Sequence, residues 1–273
     1  MEWPRLKNII ILILLLANLF LLALVGVQEH GTAKYQEQAL ANTISVLDRN
    51  GIQVDLGGIP EKLELEVLTV EREPEQETLL AQALLGECEM SDLGAGRYTY
   101  ENGQGRAEFR SNGSFSVTLT AGAHLAEQDG EMSHALSLLE DAKLTAAGAE
   151  QTREGDKTSV TLFQSWENAP VYSCRLTLQY EKGALLSISG QRLMGTPRES
   201  AEKIELLDVP TALLRILNGI NDLGDVCEMI RSMEPGYLLT TTSDAASLIP
   251  VWQVTTDTGV YRLNAATGVL ERG

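Results

Sequence analysis

One stretch limits what this chain can become more than any other: residues 8–27, NIIILILLLANLFLLALVGV. Twenty residues of α-helix, each rising 1.5 Å, cover about 30 Å, the depth of a bilayer's hydrocarbon layer. No charged side chain interrupts the run, and a helix satisfies its own backbone hydrogen bonds, as lipid requires. Arg5 and Lys7 precede it, Trp3 suits the interface, and acidic Glu29 follows. By the positive-inside tendency, residues 1–7 lie in the cytoplasm, 8–27 cross the membrane, and the remainder lies outside the cell. A cleaved signal peptide has a shorter apolar region, about 7–15 residues, closed by a small-x-small site. Val25-Gly26-Val27 offers no such site, and no cysteine follows for lipid attachment. The expectation is an uncleaved single-pass anchor in the cell membrane.

Asn18 falls near mid-membrane on that reading. An asparagine there gains about 0.6–2 kcal/mol by hydrogen bonding to a neighbouring helix. Asn18, with Leu14, Leu15 and Leu22, is therefore the candidate partner-contact surface of the anchor. Seven cytoplasmic residues cannot build a signalling domain, so any signal passes through the helix or the exterior part.

The exterior part carries most of the net charge of −17, from 38 acidic and 21 basic residues. Such a surface repels phosphate backbones, which argues against nucleic-acid binding. Three widely spaced cysteines, Cys88, Cys174 and Cys227, contain no C-x-x-C pair and read as small buried hydrophobes, with one disulfide left open.

Hydrophobic periodicity outlines an α+β fold of mostly antiparallel sheets with packed helices. Residues 33–50 read as a helix continuing from the anchor, with Tyr35, Leu40, Ile44 and Leu47 at helical spacing and Asn50-Gly51 as its end. A half-buried strand is expected at 63–70, and helices at 77–85 and 131–147. Asn102-Gly103-Gln104-Gly105 and Ser111-Asn112-Gly113-Ser114 mark turns between strands near 97–100, 106–109 and 115–119. Further strands are expected at 158–163, 171–180 and 184–193, and in segments 225–231 and 236–241. Thr196-Pro197-Arg198-Glu199 has the form of a helix start, and 210–223 reads as another helix. A closing hairpin occupies 251–271. The polar stretch 150–157 suggests two subdomains, 28–152 and 153–273. On the closing hairpin, Trp252 and Tyr261 are candidates for a partner-facing aromatic patch or for packing against a helix.

No nucleophile elbow or phosphate-binding loop occurs. Glu131 and His134 share a helix face, but a metal centre needs more ligands from facing helices, so both read as solvated surface residues. With this many acids, carboxylate pairs arise by chance and say nothing about catalysis. The expectation is a protein without enzymatic activity, cofactor or metal.

Both ends of the chain resemble the YycI family of Gram-positive bacteria. The start, MEWPRLKNIIILILLLANLFLL over residues 1–22, has that family's Met-acidic-Trp opening, basic residues and single membrane helix. The end resembles it in Pro250-Val251-Trp252-Gln253-Val254, Gly259-Val260-Tyr261, Asn264-Ala265 and Thr267-Gly268, with Glu228 to Tyr237 before them. The middle of the chain carries no such likeness. The resemblance implies a regulator of a two-component system that controls cell-wall metabolism. It would act on the membrane-bound sensor histidine kinase through transmembrane and exterior contacts, beside a second one-pass protein resembling YycH. The alternative is a PepSY-like exterior binding or inhibitor module, because small α+β domains of that kind end similarly.

Overall fold

The computed structural model describes residue 18 and residues 35–127, 129–142, 144, 146–241 and 246–273. A helix, α1, covers 35–49. It is followed by β1 (Gln53–Val54), a 3-10 turn (Leu56–Gly58), β2 (Leu68–Val70), α2 (Pro74–Leu85) and four strands: β3 (Glu89–Gly94), β4 (Arg97–Asn102), β5 (Gly105–Phe109) and β6 (Ser114–Leu119). Then come α3 (Glu131–Asp141), β7 (Gly148–Glu154), β8 (Lys157–Trp166), β9 (Ala169–Glu181), β10 (Ala184–Gln191) and β11 (Pro197–Glu199). The chain ends with α4 (Val209–Leu223), β12 (Met229–Thr241), β13 (Ala246–Thr256), β14 (Val260–Asn264) and β15 (Leu270–Arg272).

The strands form one hydrogen-bonded network with the main order β11-β2-β13-β12-β9-β10-β6-β5-β4-β3. Side branches add β7 and β8 through β9, and β14 and β15 through β13. Pairing is antiparallel except for β1 and β9, each against β12. The α+β expectation thus holds.

Beneath α2 and α3 lies a first core. It joins Leu80, Leu84 and Leu85 to Phe109, Phe115 and Val117, and to Val160, Leu178, Tyr180 and Leu185. Its strands come from short hairpins whose turns are chemically specified. Asn102 accepts from the Gln104 amide at 2.8 Å, and Asn112 accepts from the Ser114 amide at 3.0 Å. Gly113 takes φ +75°, a left-handed value that a side chain disfavours.

A second core lies under α1 and α4. Asp208 caps α4 by accepting from the Thr211 amide at 3.0 Å, Pro210 occupies the first turn, and Gly224 closes the helix with φ 70°. Val209, Leu213, Ile216, Leu217 and Ile220 then fall on one buried face. Each such side chain contributes about 1.5–3 kcal/mol of gross burial energy. They meet Leu47 of α1 and Trp252, Val254, Leu263 and Leu270 of the closing strands. At Gly219 a Cβ would sit 2.5 Å from Leu270 Cβ, so β15 packs directly on this glycine. A smaller cluster of Leu68, Val70, Val171, Cys174, Leu193, Tyr237 and Leu248 lies between the two cores in the strand order.

Several local expectations change. The strand expected at 63–70 is confined to Leu68–Val70, and the helix expected at 131–147 ends at Asp141. Pro197–Glu199 is not a helix start but an outer strand on β2, a place where proline's missing donor is harmless. The expected segments 225–231 and 236–241 merge into β12, which runs through Pro235. Tyr35, expected on the packed face of α1, is 74% exposed. The expected division at 152/153 falls inside β7, and β8–β10, assigned to the later subdomain, line the first core.

Among the described residues no helix is long and apolar enough to cross a membrane. Of the run 8–27 only Asn18 is described, as helical and exposed; Leu14, Leu15 and Leu22 lie outside the described residues.

Candidate docking groove at the foot of α1

Leu47, fully buried, and Thr43, 5% exposed, hold the second half of α1 against the second core. One to two turns earlier its inner face forms one wall of a groove of about 560 Å³. Gln36, Glu37 and Leu40 supply this wall; Glu61, Lys62 and Leu63 supply another. The third is the approach to α4, from Leu206 to Pro210. Two anchors shape that approach: the Leu207 amide donates to the Ala265 carbonyl at 2.8 Å, and Asp208 is committed to capping α4.

The groove combines an apolar floor with an acidic rim. Leu40, Leu63, Leu206 and Leu207 are partly buried and pack on the second core. Glu37, Glu61 and Asp208 are exposed around them. Lys62, the one base of the lining among the described residues, reaches Glu64 at 2.6 Å. Hydrogen bonding within this pair raises the lysine pKa and lowers the glutamate's. Both partners are solvent-exposed, so the pair adds little to stability. An apolar floor with like charges on its rim suits an amphipathic segment that carries basic flanks.

The sequence-based aromatic candidates lie elsewhere. Trp252 is fully buried, and Tyr261 is 4% exposed. Neither forms an exposed patch, because the strand face that carries them is covered by α4 and α1. The Trp252 indole N–H has no acceptor among the described residues. The Tyr261 hydroxyl donates to Asp225 at 3.0 Å, and Arg272 clamps the same carboxylate at 3.0 and 2.8 Å. Chiefly through the Arg272 hydrogen bond, the Asp225 carboxyl is held below its ordinary pKa.

Glu131 and His134, expected as solvated residues, are partly or wholly enclosed. Glu131 is 5% exposed; Arg153 Nη2 donates to each of its carboxylate oxygens at 2.8 Å, and Thr158 donates at 3.3 Å. His134 Nδ1 lies 3.0 Å from the buried Tyr180 hydroxyl, and its ring centroid is 5.9 Å from that of His124. Burial, and then His124, lower the His134 pKa. His124 Nε2 lies 2.7 Å from the Leu84 carbonyl. A comparable pair went unread in the sequence. Glu77, fully buried on α2, accepts from Arg72 Nη2 at 2.9 Å and Nε at 2.5 Å. The signal was present, since Arg72 and Glu77 flank the Pro74 helix start, but spacing alone does not reveal burial.

Among the described residues no group of three or more His, Cys, Asp or Glu is placed to hold a metal ion. Cys88, Cys174 and Cys227 are free thiols.

The chain matches no protein family model and no curated protein. Among solved structures it resembles an uncharacterized protein from Eubacterium rectale ATCC 33656, with 13% identity, 81% of this chain and 90% of that chain covered, and a TM-score of 0.49. It also resembles the Bacillus megaterium YpeB C-terminal domain, with 13% identity, 74% and 98% coverage, and a TM-score of 0.37. Likenesses at this level assign neither a family nor an activity.

Proposed function

We propose that this chain is a membrane-anchored, non-enzymatic regulator that docks a partner in the same membrane, and that the partner is a sensor histidine kinase. The observation that carries the reading is the groove at the foot of α1. Residues 28–34 lie between the apolar run and the described part of the helix that walls it. Those seven residues span about 10 Å as helix and about 24 Å fully extended, so a spanning run holds the groove close to the membrane surface. A partner segment emerging beside the anchor meets an apolar floor there, with Glu37, Glu61 and Asp208 around it. Asn18 supplies a second contact within the bilayer. The resemblance of residues 1–22 and 250–268 to YycI proteins directs the choice of partner to a cell-wall sensor kinase, with a YycH-like one-pass protein alongside. Regulation is then a shift in the kinase's conformational population, driven by contacts that differ between its states.

The test is co-purification of the full chain with the kinase, using Asn18→Leu and, separately, the rim reversal Glu37→Lys/Glu61→Lys. The expected outcome is weaker recovery with each. For Asn18→Leu it is about three- to thirty-fold weaker, the range of one intramembrane hydrogen bond. Loss with the rim reversal alone supports the PepSY-like module that binds through its exterior part. Undiminished recovery with both overturns the proposal.

A further inference from the structure

The strands around the first core run in the order β7-β8-β9-β10-β6-β5-β4-β3, so this part of the sheet ends on β7 and on β3. The two ends differ. β7 carries no large apolar side chain, and its Arg153 folds onto Glu131 of α3 at 2.8 Å. β3 pairs with β4 alone, and all six of its residues are exposed. Its free edge leaves a row of backbone N–H and C=O groups to solvent.

The side chains of β3 divide between its two faces. Met90 lies opposite Tyr100, so both point toward the first core. Tyr100 is 2% exposed, whereas Met90 is 57% exposed. The core thus reaches β4 and stops short of β3. Leu93, 46% exposed, follows where the register shifts between Asp92 and Gly94. Glu89 and Ser91 point to the opposite face. There Glu87, Glu89 and Glu101 border a shallow depression of about 660 Å³. Arg106 lies 3.6 Å from Glu101, while Glu87 and Glu89 have no ion-pair partner among the described residues.

A strand laid beside β3 would complete its hydrogen bonds and cover Met90. Its side chains would need to be apolar on the Met90 face and cationic on the face of Glu87 and Glu89. A second copy of this chain fits poorly, because its net charge of −17 and its identical acids would meet the same edge. We propose that β3 is a docking edge for an extended segment of a partner protein, with alternating apolar and basic side chains, which joins the sheet as a further strand. The edge is separate from the groove at the foot of α1, and the inference does not rest on the proposed regulatory role.

Amide hydrogen exchange of the full chain in detergent tests it, with a short synthetic peptide that alternates lysine and valine. The peptide is expected to protect amides of β3 and to leave β7 unchanged. The same peptide N-methylated along its backbone keeps its charge but cannot donate to a strand. A peptide alternating glutamate and valine keeps the backbone but reverses the charge. Neither is expected to protect β3. Glu87→Lys/Glu89→Lys alters two exposed side chains, so the fold stays in place. By fluorescence polarisation this variant is expected to bind the lysine peptide at least about ten-fold more weakly. Equal binding by the N-methylated peptide reduces the contact to charge alone and overturns the proposal. So do a β3 that gains no protection, protection centred on β7, and undiminished binding to the variant. Protection of β3 that rises with protein concentration in the absence of peptide assigns the edge to a second copy and also overturns it.

Discussion

Leu84 and Tyr180 in the first core are buried as deeply as Leu47 and Trp252 in the second, yet the chain reaches these two states differently. The first core is assembled from strands that follow one another through tight turns. It also encloses ionisable groups at its margins: Glu77 with Arg72, Glu131 with Arg153, and His134 against Tyr180. The second core brings α1 from near one end of the chain to β14 and β15 at the other, and its interior is almost wholly apolar. Its main ionic clamp, Asp225 with Arg272, lies toward the solvent. The first core holds its ionisable groups by pairing them, across 5 residues for Arg72 with Glu77, 22 for Glu131 with Arg153 and 46 for His134 with Tyr180. The second relies on undirected burial.

The contrast is tested first where its effect is largest. Trp252→Ala in the second core should lower unfolding stability by about 4 kcal/mol, because the cavity forms where four elements meet. Denaturant titration measures this, and a loss below about 2 kcal/mol would show that the core collapses around the gap. In the first core, Arg72→Met should cost about 3 kcal/mol by stranding the Glu77 carboxylate. Hydrogen exchange should then accelerate in α2 and β4 before α4; acceleration in α4 first would break the distinction between the regions.

The smallest effect is a pH dependence. The folded state depresses the His134 pKa, so below about pH 6.5 the unfolded chain binds a proton that the folded chain resists. His134 faces Tyr180 on β9 and His124 in the preceding loop. The stabilising difference is complete above that pH and declines as pH falls through it. The midpoint of the chain should therefore drop between about pH 7 and 5, and His134→Gln should flatten the slope. Asp225 acts in the same direction at lower pH. Its lowered pKa preserves stability until pH falls past its ordinary value of 3.8, so the second region's clamp fails only in stronger acid. A profile unchanged by His134→Gln would remove histidine from the comparison.

The same contrast explains which parts of the fold the sequence revealed. The Asn102 and Asn112 turns announced their hairpins, and the apolar stripe of α4 announced its helix, because each signal is contained in a few adjacent residues. Signals failed where distant pairing decided the outcome. Thr196-Pro197-Arg198-Glu199 carries a sound helix-start pattern, but the chain is captured by β2. The approach is so close that a Cβ at Gly195 would lie 1.8 Å from the Glu71 carbonyl oxygen. The sequence reading leaves a gap between the segments 225–231 and 236–241, which β12 crosses. The strand continues because β13 pairs with it there without a break, Pro235 opposite Trp252 and Gly236 opposite Val251, while Gly236 makes room for Tyr172 and Pro170. The docking groove was invisible for the same reason: its three walls are separated by about twenty and about 140 residues of chain. Leu40 and Leu206 were legible as apolar positions, not as neighbours.

The burial of Leu47 in one core with Leu270 also sets a schedule for synthesis. The helix that carries Leu47 is made early, while part of its cover arrives 223 residues later. At about 5–20 residues per second the ribosome needs roughly 10–45 s to deliver it. For that interval the inner face of α1 lacks part of its cover, and the nascent chain depends on other apolar surfaces, its own or a chaperone's, to complete it.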